Sequence, residues 1–327
     1  MKKKIFLTLI GFVFLIVIGI YTNLYLLFFG LNPTLNQLEL PEDYKYARSA
    51  ESGDVVVFGT GKKNLILIPG LGMTWGVYRP FINANKEKYT MYTFNLPGFG
   101  TQPVFQKPEG FNDYSKTIYT DKVVQAVSHL ISDKEITDPT VVGYFMGGST
   151  AALRTALELP EQIASVVIIS GEVRRYRFDE TKRKEWINGL AKNFFRYVDR
   201  KKWNKGKFEK IQWSDNDVVS EKYYRIDEDD PIAVLIQYTI EANAFDLTYF
   251  VDELKVPLLA ITPGFKADKD SNEALKLLAS SFVNEWEKLA REHDLIATKR
   301  IDGAKLAIID DHTKALSDAI SSFLLTD

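Results

Sequence analysis

The sequence predicts an α/β protein with a mostly parallel, doubly wound sheet and helices on both faces. Three observations carry this reading. Runs such as "NLILI", "TVVGY", "SVVII" and "VPLLAIT" are apolar throughout, which a strand tolerates only when both of its faces are covered. These runs alternate with stretches of helical periodicity, the pattern of βαβ units. Between one such run and the next helix stands "VVGYFMGG", residues 141–148, a glycine-framed turn with G-x-S-x-G spacing and phenylalanine in the middle.

The elements follow in order. "YKYARSA" and "DVVVFGT" read as the first two strands. "GTGKK" separates "DVVVF" from "NLILI", and its glycines can take positive φ, so a hairpin is expected there. "NLILIPG", "YTMYTFNLPGFG", "DPTVVGYF", "IASVVIISG", "VPLLAITPG" and "ATKRID" supply the remaining strands. Helices are expected over "DYSKTIYTDKVVQAVSHLISD", "STAALRTALELPEQ", "SNEALKLLASSFVNEWEKLAREHD" and "HTKALSDAISSFLL". Residues 172–243 interrupt the alternation with a Lys-, Arg- and aromatic-rich segment, read as a helical insertion over one end of the sheet. Two readings stay open for it: a solvated helical surface with aromatic core contacts, or a lid facing anionic lipid or substrate.

The amino terminus carries a separate signal. "MKKK" precedes a run from Ile5 to Gly30 without a charged residue, and roughly 20 apolar residues suffice to span a bilayer as a helix. The run ends in "LYLLFFGLNP" without an A-x-A pattern, which favours an uncleaved anchor over a cleaved signal. Lys2, Lys3 and Lys4 on one flank and Glu39, Glu42 and Asp43 on the other place the globular part outside the cytoplasm. The expected organisation is an anchor (1–30) in contact with the bilayer through residues 5–30, and a linker (31–43). A first core segment (44–171), the helical insertion (172–243) and a second core segment (244–327) complete it.

Composition limits the chemistry. The net charge of −2 gives no reason to expect nucleic-acid binding. The chain has no cysteine, so disulfides, thiol catalysis and thiolate metal sites are out. Its three histidines, His129, His293 and His312, show no H-x-x-x-H spacing. No cofactor and no metal are expected.

Several segments in sequence order then resemble the α/β-hydrolase superfamily. "LILIPGLGMTWGVYRPF" resembles its strand and oxyanion loop, and "YTMYTFNLPGFGTQP" its D-x-P-G-x-G segment, with Asn95 in place of Asp. "VVGYFMGGSTAALRTALELPEQIASVVIISG" resembles the nucleophile elbow with the following helix and strand. "VPLLAIT" and "ATKRIDGAKLAIIDDHTKALSDAISSFL" resemble the last two strands and the last helix. The resemblance spans about residues 55–171 and 241–327. It implies a membrane-anchored or exported member with a helical lid.

The resemblance also implies site residues. The sharp turn from strand to helix asks for Gly143, Gly147 and Gly148. Phe145 holds the nucleophile position, and a phenyl ring has no lone pair with which to attack a carbonyl. In "AKLAIIDD" Leu306 falls at the histidine position. Asp246 and Asp268 are the two candidates for the acid, which without its histidine has no tautomer to hold. The oxyanion hole falls to the backbone N–H groups of Leu71 and Met146. A displaced pair, Ser170 with His312, is the fallback for nucleophile and base. The implied protein has lost its triad and binds a small apolar or acyl-bearing ligand, or a protein partner. The alternative is an esterase- or lipase-like hydrolase that uses the displaced pair.

Overall fold

The structure, a computed structural model, describes residues 11–22, 45–49, 53–99, 117–174, 213–219 and 232–325. Eight strands form one sheet in the order β1-β2-β4-β3-β5-β6-β7-β8. They are β1 (Lys45–Ser49), β2 (Gly53–Phe58), β3 (Lys63–Ile68), β4 (Tyr89–Thr93), β5 (Thr140–Tyr144), β6 (Ser165–Ile169), β7 (Leu258–Thr262) and β8 (Ile296–Arg300). From β4 to β8 every pairing is parallel, while β1–β2 and β2–β4 are antiparallel.

The hairpin expected at "GTGKK" is corrected, because β2 pairs with β4 and not with β3. The loop instead crosses the start of β4. Thr60 N donates to Lys86 O at 3.1 Å, and a Cβ at Gly61 would lie 2.0 Å from the Lys88 carbonyl. The glycines allow a close backbone crossing rather than a two-strand turn.

Strand residues alternate between two cores. Leu65, Leu67, Val142, Tyr144, Val167 and Ile169 face one side; Ile66, Ile68, Val141, Val166 and Ile168 face the other. This explains the continuous apolar runs, since both faces are buried. Helices α1 (Arg79–Asn85) and α8 (Thr313–Leu325) cover the first face. Helices α2 (Ile118–Asp133) and α3 (Phe145–Glu158) cover the second. Helices α5 (Glu273–Ala279) and α6 (Glu285–Glu292) are joined by a π-helical turn, Ser280–Asn284. That turn delivers Phe282 to the first core, while Trp286 reaches the second.

Most of the insertion over 172–243 lies outside the described residues. Its described parts hold no strand, and they end in α4 (Ile232–Ala244). Parts of it belong to the interior, because Trp213, Tyr238, Ile240 and Glu241 are all buried. Residues 11–22 are helical with exposed apolar side chains. Among the described residues no helix is long and apolar enough to cross a membrane; the remainder of the 5–30 run lies outside them.

Candidate active site

The elbow sits where β5 passes into α3. Phe145 has φ +51, a left-handed backbone that is uncommon for a bulky side chain and costs roughly 1–3 kcal/mol. Its neighbours explain why the cost is tolerated. A Cβ on Gly143 would lie 2.4 Å from the Gly148 carbonyl, and one on Gly148 would lie 2.4 Å from the Pro69 carbonyl. Gly147 has φ +80 and leaves 3.2 Å between its missing Cβ and Leu71 Cβ. Strand, helix start and the loop after β3 therefore touch backbone to backbone.

The Phe145 ring is packed rather than set over open space. Its centroid is 4.8 Å from that of Trp213 and 6.2 Å from that of Phe282, the latter stacked at an interplanar angle of 1°. Trp213 also accepts a hydrogen bond from Ala307 N through its carbonyl at 2.9 Å. Nearby Lys305 pairs with Asp215. The insertion, the loop after β8 and the elbow thus meet at one aromatic cluster. The Phe145 ring, 5% exposed, fills the space at the elbow.

Leu306 lies in the loop after β8 with a fully buried side chain. Its carbonyl accepts from Tyr144 Oη and from Ser170 Oγ, each at 2.9 Å. The position that the sequence resemblance assigns to a histidine presents a carbonyl held by two hydroxyls. Ser170 itself has φ +47 and spends its hydroxyl on that carbonyl. No hydrogen bond joins it to His312, which stands between α7 (Ile308–Asp311) and α8 and whose carbonyl accepts from Leu316 N. The fallback pair is not assembled.

The two acids are engaged by partners of their own. Asp246 Oδ1 caps the short turn Leu247–Tyr249, accepting from Thr248 N at 3.0 Å and Thr248 Oγ1 at 2.6 Å. Its Oδ2 lies 3.8 Å from Arg174 Nη1, and the adjacent Leu247 packs into the core on the face opposite Phe145 and Leu306. Asp268 is exposed and accepts from Ser271 Oγ at 2.9 Å and Asp270 N at 3.0 Å. The Ser271 hydrogen bond holds its carboxyl below the usual value.

The oxyanion loop departs from expectation as well. Asn95 holds it, accepting from Trp75 N at 2.8 Å. Tyr78 Oη reaches the Ile68 and Val142 carbonyls at 2.9 and 3.2 Å, and burial pushes its phenol well above the ordinary range. The Leu71 N–H, however, donates to the Met146 carbonyl at 2.7 Å. The donor assigned to an oxyanion is engaged by the chain itself. Met146 (φ −58, ψ 145) and Gly147 (φ 80, ψ −63) are non-helical within α3, which turns that carbonyl toward Leu71.

The insertion supplies further buried residues. Trp213 lies in the segment whose two open readings were a solvated helical surface with aromatic core contacts and a lid. Asn243 on α4 is buried with Nδ2 4.0 Å from Met146 Sδ. Glu241 reaches across to the start of α2, accepting from Tyr119 N at 3.2 Å, Thr120 N at 2.8 Å and Thr120 Oγ1 at 2.6 Å.

A family model described as alpha/beta hydrolase fold matches residues 63–233, more than half of the chain. The chain belongs to the α/β-hydrolase superfamily. The match covers the elbow of this hydrolase-family chain and stops short of Asp246 and Leu306. Among solved structures, a bromoperoxidase from Bacillus anthracis is similar with TM-score 0.61 and 20% identity, over 86% of this chain and 100% of its own. A lipase-esterase related protein from Clostridium acetobutylicum gives TM-score 0.57 and 22% identity, over 82% and 98%. An enol-lactonase from Burkholderia xenovorans gives 0.56 and 14%, over 86% and 100%. At such identities the likeness is one of fold. No curated protein sequence matches.

Proposed function

We propose that this α/β-hydrolase is a non-catalytic member, tethered to a membrane by residues 5–30 with its globular domain outside the cytoplasm. It binds a small apolar or acyl-bearing ligand, or a protein partner, without turning it over. The observation that carries the reading is Phe145 at the tip of the elbow, with its ring packed against Trp213 and Phe282. No nucleophile stands where β5 ends, and the loop after β8 offers the Leu306 carbonyl to Tyr144 and Ser170 in place of an imidazole. The neighbours described as a lipase-esterase related protein and an enol-lactonase favour an acyl group as the feature a ligand would carry. The tether is supported by the uncharged run itself and by the exposed apolar side chains of its helical portion, with Phe12 65% and Leu15 67% exposed.

A fluorophosphonate probe tests the chemistry: the expected result is no labelled serine, and stoichiometric labelling would overturn the non-catalytic reading. For the tether, a reporter fused to the carboxyl terminus is expected to be active only outside the cytoplasm. A mature amino terminus processed near residue 30 would refute it.

A further inference from the structure

Sulfur in this chain is confined to four methionines, because there is no cysteine. Thioethers are therefore the only groups through which a peroxide can mark the protein by sulfur oxidation. Two of the described methionines are closed off, with Met73 2% and Met91 0% exposed. Met146 differs from both. It stands partly exposed one residue past the tip of the elbow, with its side chain packed against the edge of the first core.

The neighbour of its sulfur is a buried amide. Asn243 on α4, 1% exposed, donates through Nδ2 to Thr239 O at 2.5 Å. A carbonyl only accepts, so this bond fixes which end of the amide is the nitrogen. That nitrogen carries a second hydrogen, and it lies 4.0 Å from Met146 Sδ. A thioether is a weak acceptor, and the contact is long. The oxidised side chain fits the gap better. With an S–O bond of about 1.5 Å, an N–H···O bond of about 2.9 Å and an angle of about 120° at the oxygen, sulfur and nitrogen stand about 3.9 Å apart. The gap is the width that one sulfoxide oxygen fills.

We propose that Met146 is a site of oxidation by a hydroperoxide, and that Asn243 holds the sulfoxide formed there. A sulfur lone pair attacks the terminal oxygen of the peroxide. The S–O bond forms as the O–O bond breaks, and the proton of the transferred oxygen passes to the departing one, which leaves as alcohol, or as water from hydrogen peroxide. Sulfur gives up two electrons and the peroxide takes them. Rotation about the Cγ–Sδ bond leaves Sδ in place and sweeps the new oxygen round to Asn243. An apolar contact between the elbow and α4 thereby becomes a hydrogen bond that ties the end of the insertion to the start of α3. This goes beyond the proposed function and does not depend on whether the site turns a ligand over.

The test uses the full chain in detergent micelles, treated with hydrogen peroxide. Peptide mass spectrometry is expected to show Met146 gaining one oxygen about tenfold faster than Met73 or Met91. Equal rates at the three overturn the site. Exposure alone would give the same order, so a second readout follows Asn243 itself. With ¹⁵N-labelled asparagine, the Asn243 side-chain amide is expected to move downfield once Met146 is fully oxidised, as a strong acceptor replaces a weak one. An unmoved amide overturns the role of Asn243. Met146→Leu, treated alike, is expected to show no such movement. A shift of equal size in that variant would arise from another methionine and also overturns the proposal. If the variant does not fold, the two readouts on the native chain decide.

Discussion

Two neighbouring strands, β5 and β6, end in the same backbone conformation and use it differently. Each is followed by a non-glycine residue with left-handed φ, Phe145 at +51 and Ser170 at +47. At β6 the side chain is a serine, and its hydroxyl is tied to the Leu306 carbonyl. At β5, where the fold would place a nucleophile, the side chain is a ring held between Trp213 and Phe282. The strained backbone is thus a property of how the chain leaves the sheet, set by glycines and close contacts. The chemistry of the side chain is a separate matter. A hydroxyl at a strained strand end is no sign of catalysis when a carbonyl already accepts its proton.

This contrast can be broken in graded ways. Trp213→Ala removes the ring that walls Phe145 and leaves a cavity, so unfolding in urea should show a loss of about 4 kcal/mol. A loss below about 1 kcal/mol, the scale of a single net hydrogen bond, would mean that the cluster does not hold the elbow. Gly143→Ala drives a Cβ into the Gly148 carbonyl and should cost about 3 kcal/mol by the same measurement. Ser170→Ala should cost only about 1 kcal/mol, since Tyr144 still donates to Leu306. A larger loss would show that β6, not β5, anchors the loop after β8. Phe145→Ser, alone or with Leu306→His, should hydrolyse p-nitrophenyl acetate no faster than the native chain, because the Leu71 N–H is engaged by Met146. Rapid turnover by the single variant would reveal a base already in place and make His312 the first suspect. The smallest effect belongs to Asp268, whose folded pKa lies below its ordinary 3.8. Its contribution to stability is present above the unfolded value and is lost as the pH falls through the lower folded value. A titration midpoint at or above 3.8 in the carboxyl ¹³C shift would contradict the Ser271 hydrogen bond.

The central strands β3, β5, β6 and β7 were legible because their apolar runs are buried on both sides, and burial on both sides leaves a mark in one stretch of sequence. The elbow was legible for a related reason, since Gly143, Gly147 and Gly148 each answer a contact within a few residues or a single loop. The hairpin at "GTGKK" was misread because a glycine announces a close approach without naming the partner. Here the partner is the segment from Lys86 to Tyr89, and not the preceding strand. The self-bond of the oxyanion loop left no trace, because reversing one peptide changes no residue type. Aromatic core contacts were one reading of the insertion, but that Trp213 is among them left no mark, as it stands at the end of a basic run with many aromatic residues.

Glu241 places a constraint on the order of events during folding. Its carboxylate serves the Tyr119 and Thr120 amides across a sequence separation of 121 residues or more. During vectorial synthesis the first turn of α2 therefore stands without its acceptor until about as much chain again has emerged. Contacts of such separation must await closure of a long loop. The start of α2 is expected to be the late step of the second core, with α3 and the central strands already packed beneath it. Pulse-labelled amides of Tyr119 and Thr120 should gain protection after those of β5 and β6. A variant lacking the Glu241 carboxylate should therefore refold to a core whose central strands are as well protected as before, with only this one helix end unsealed.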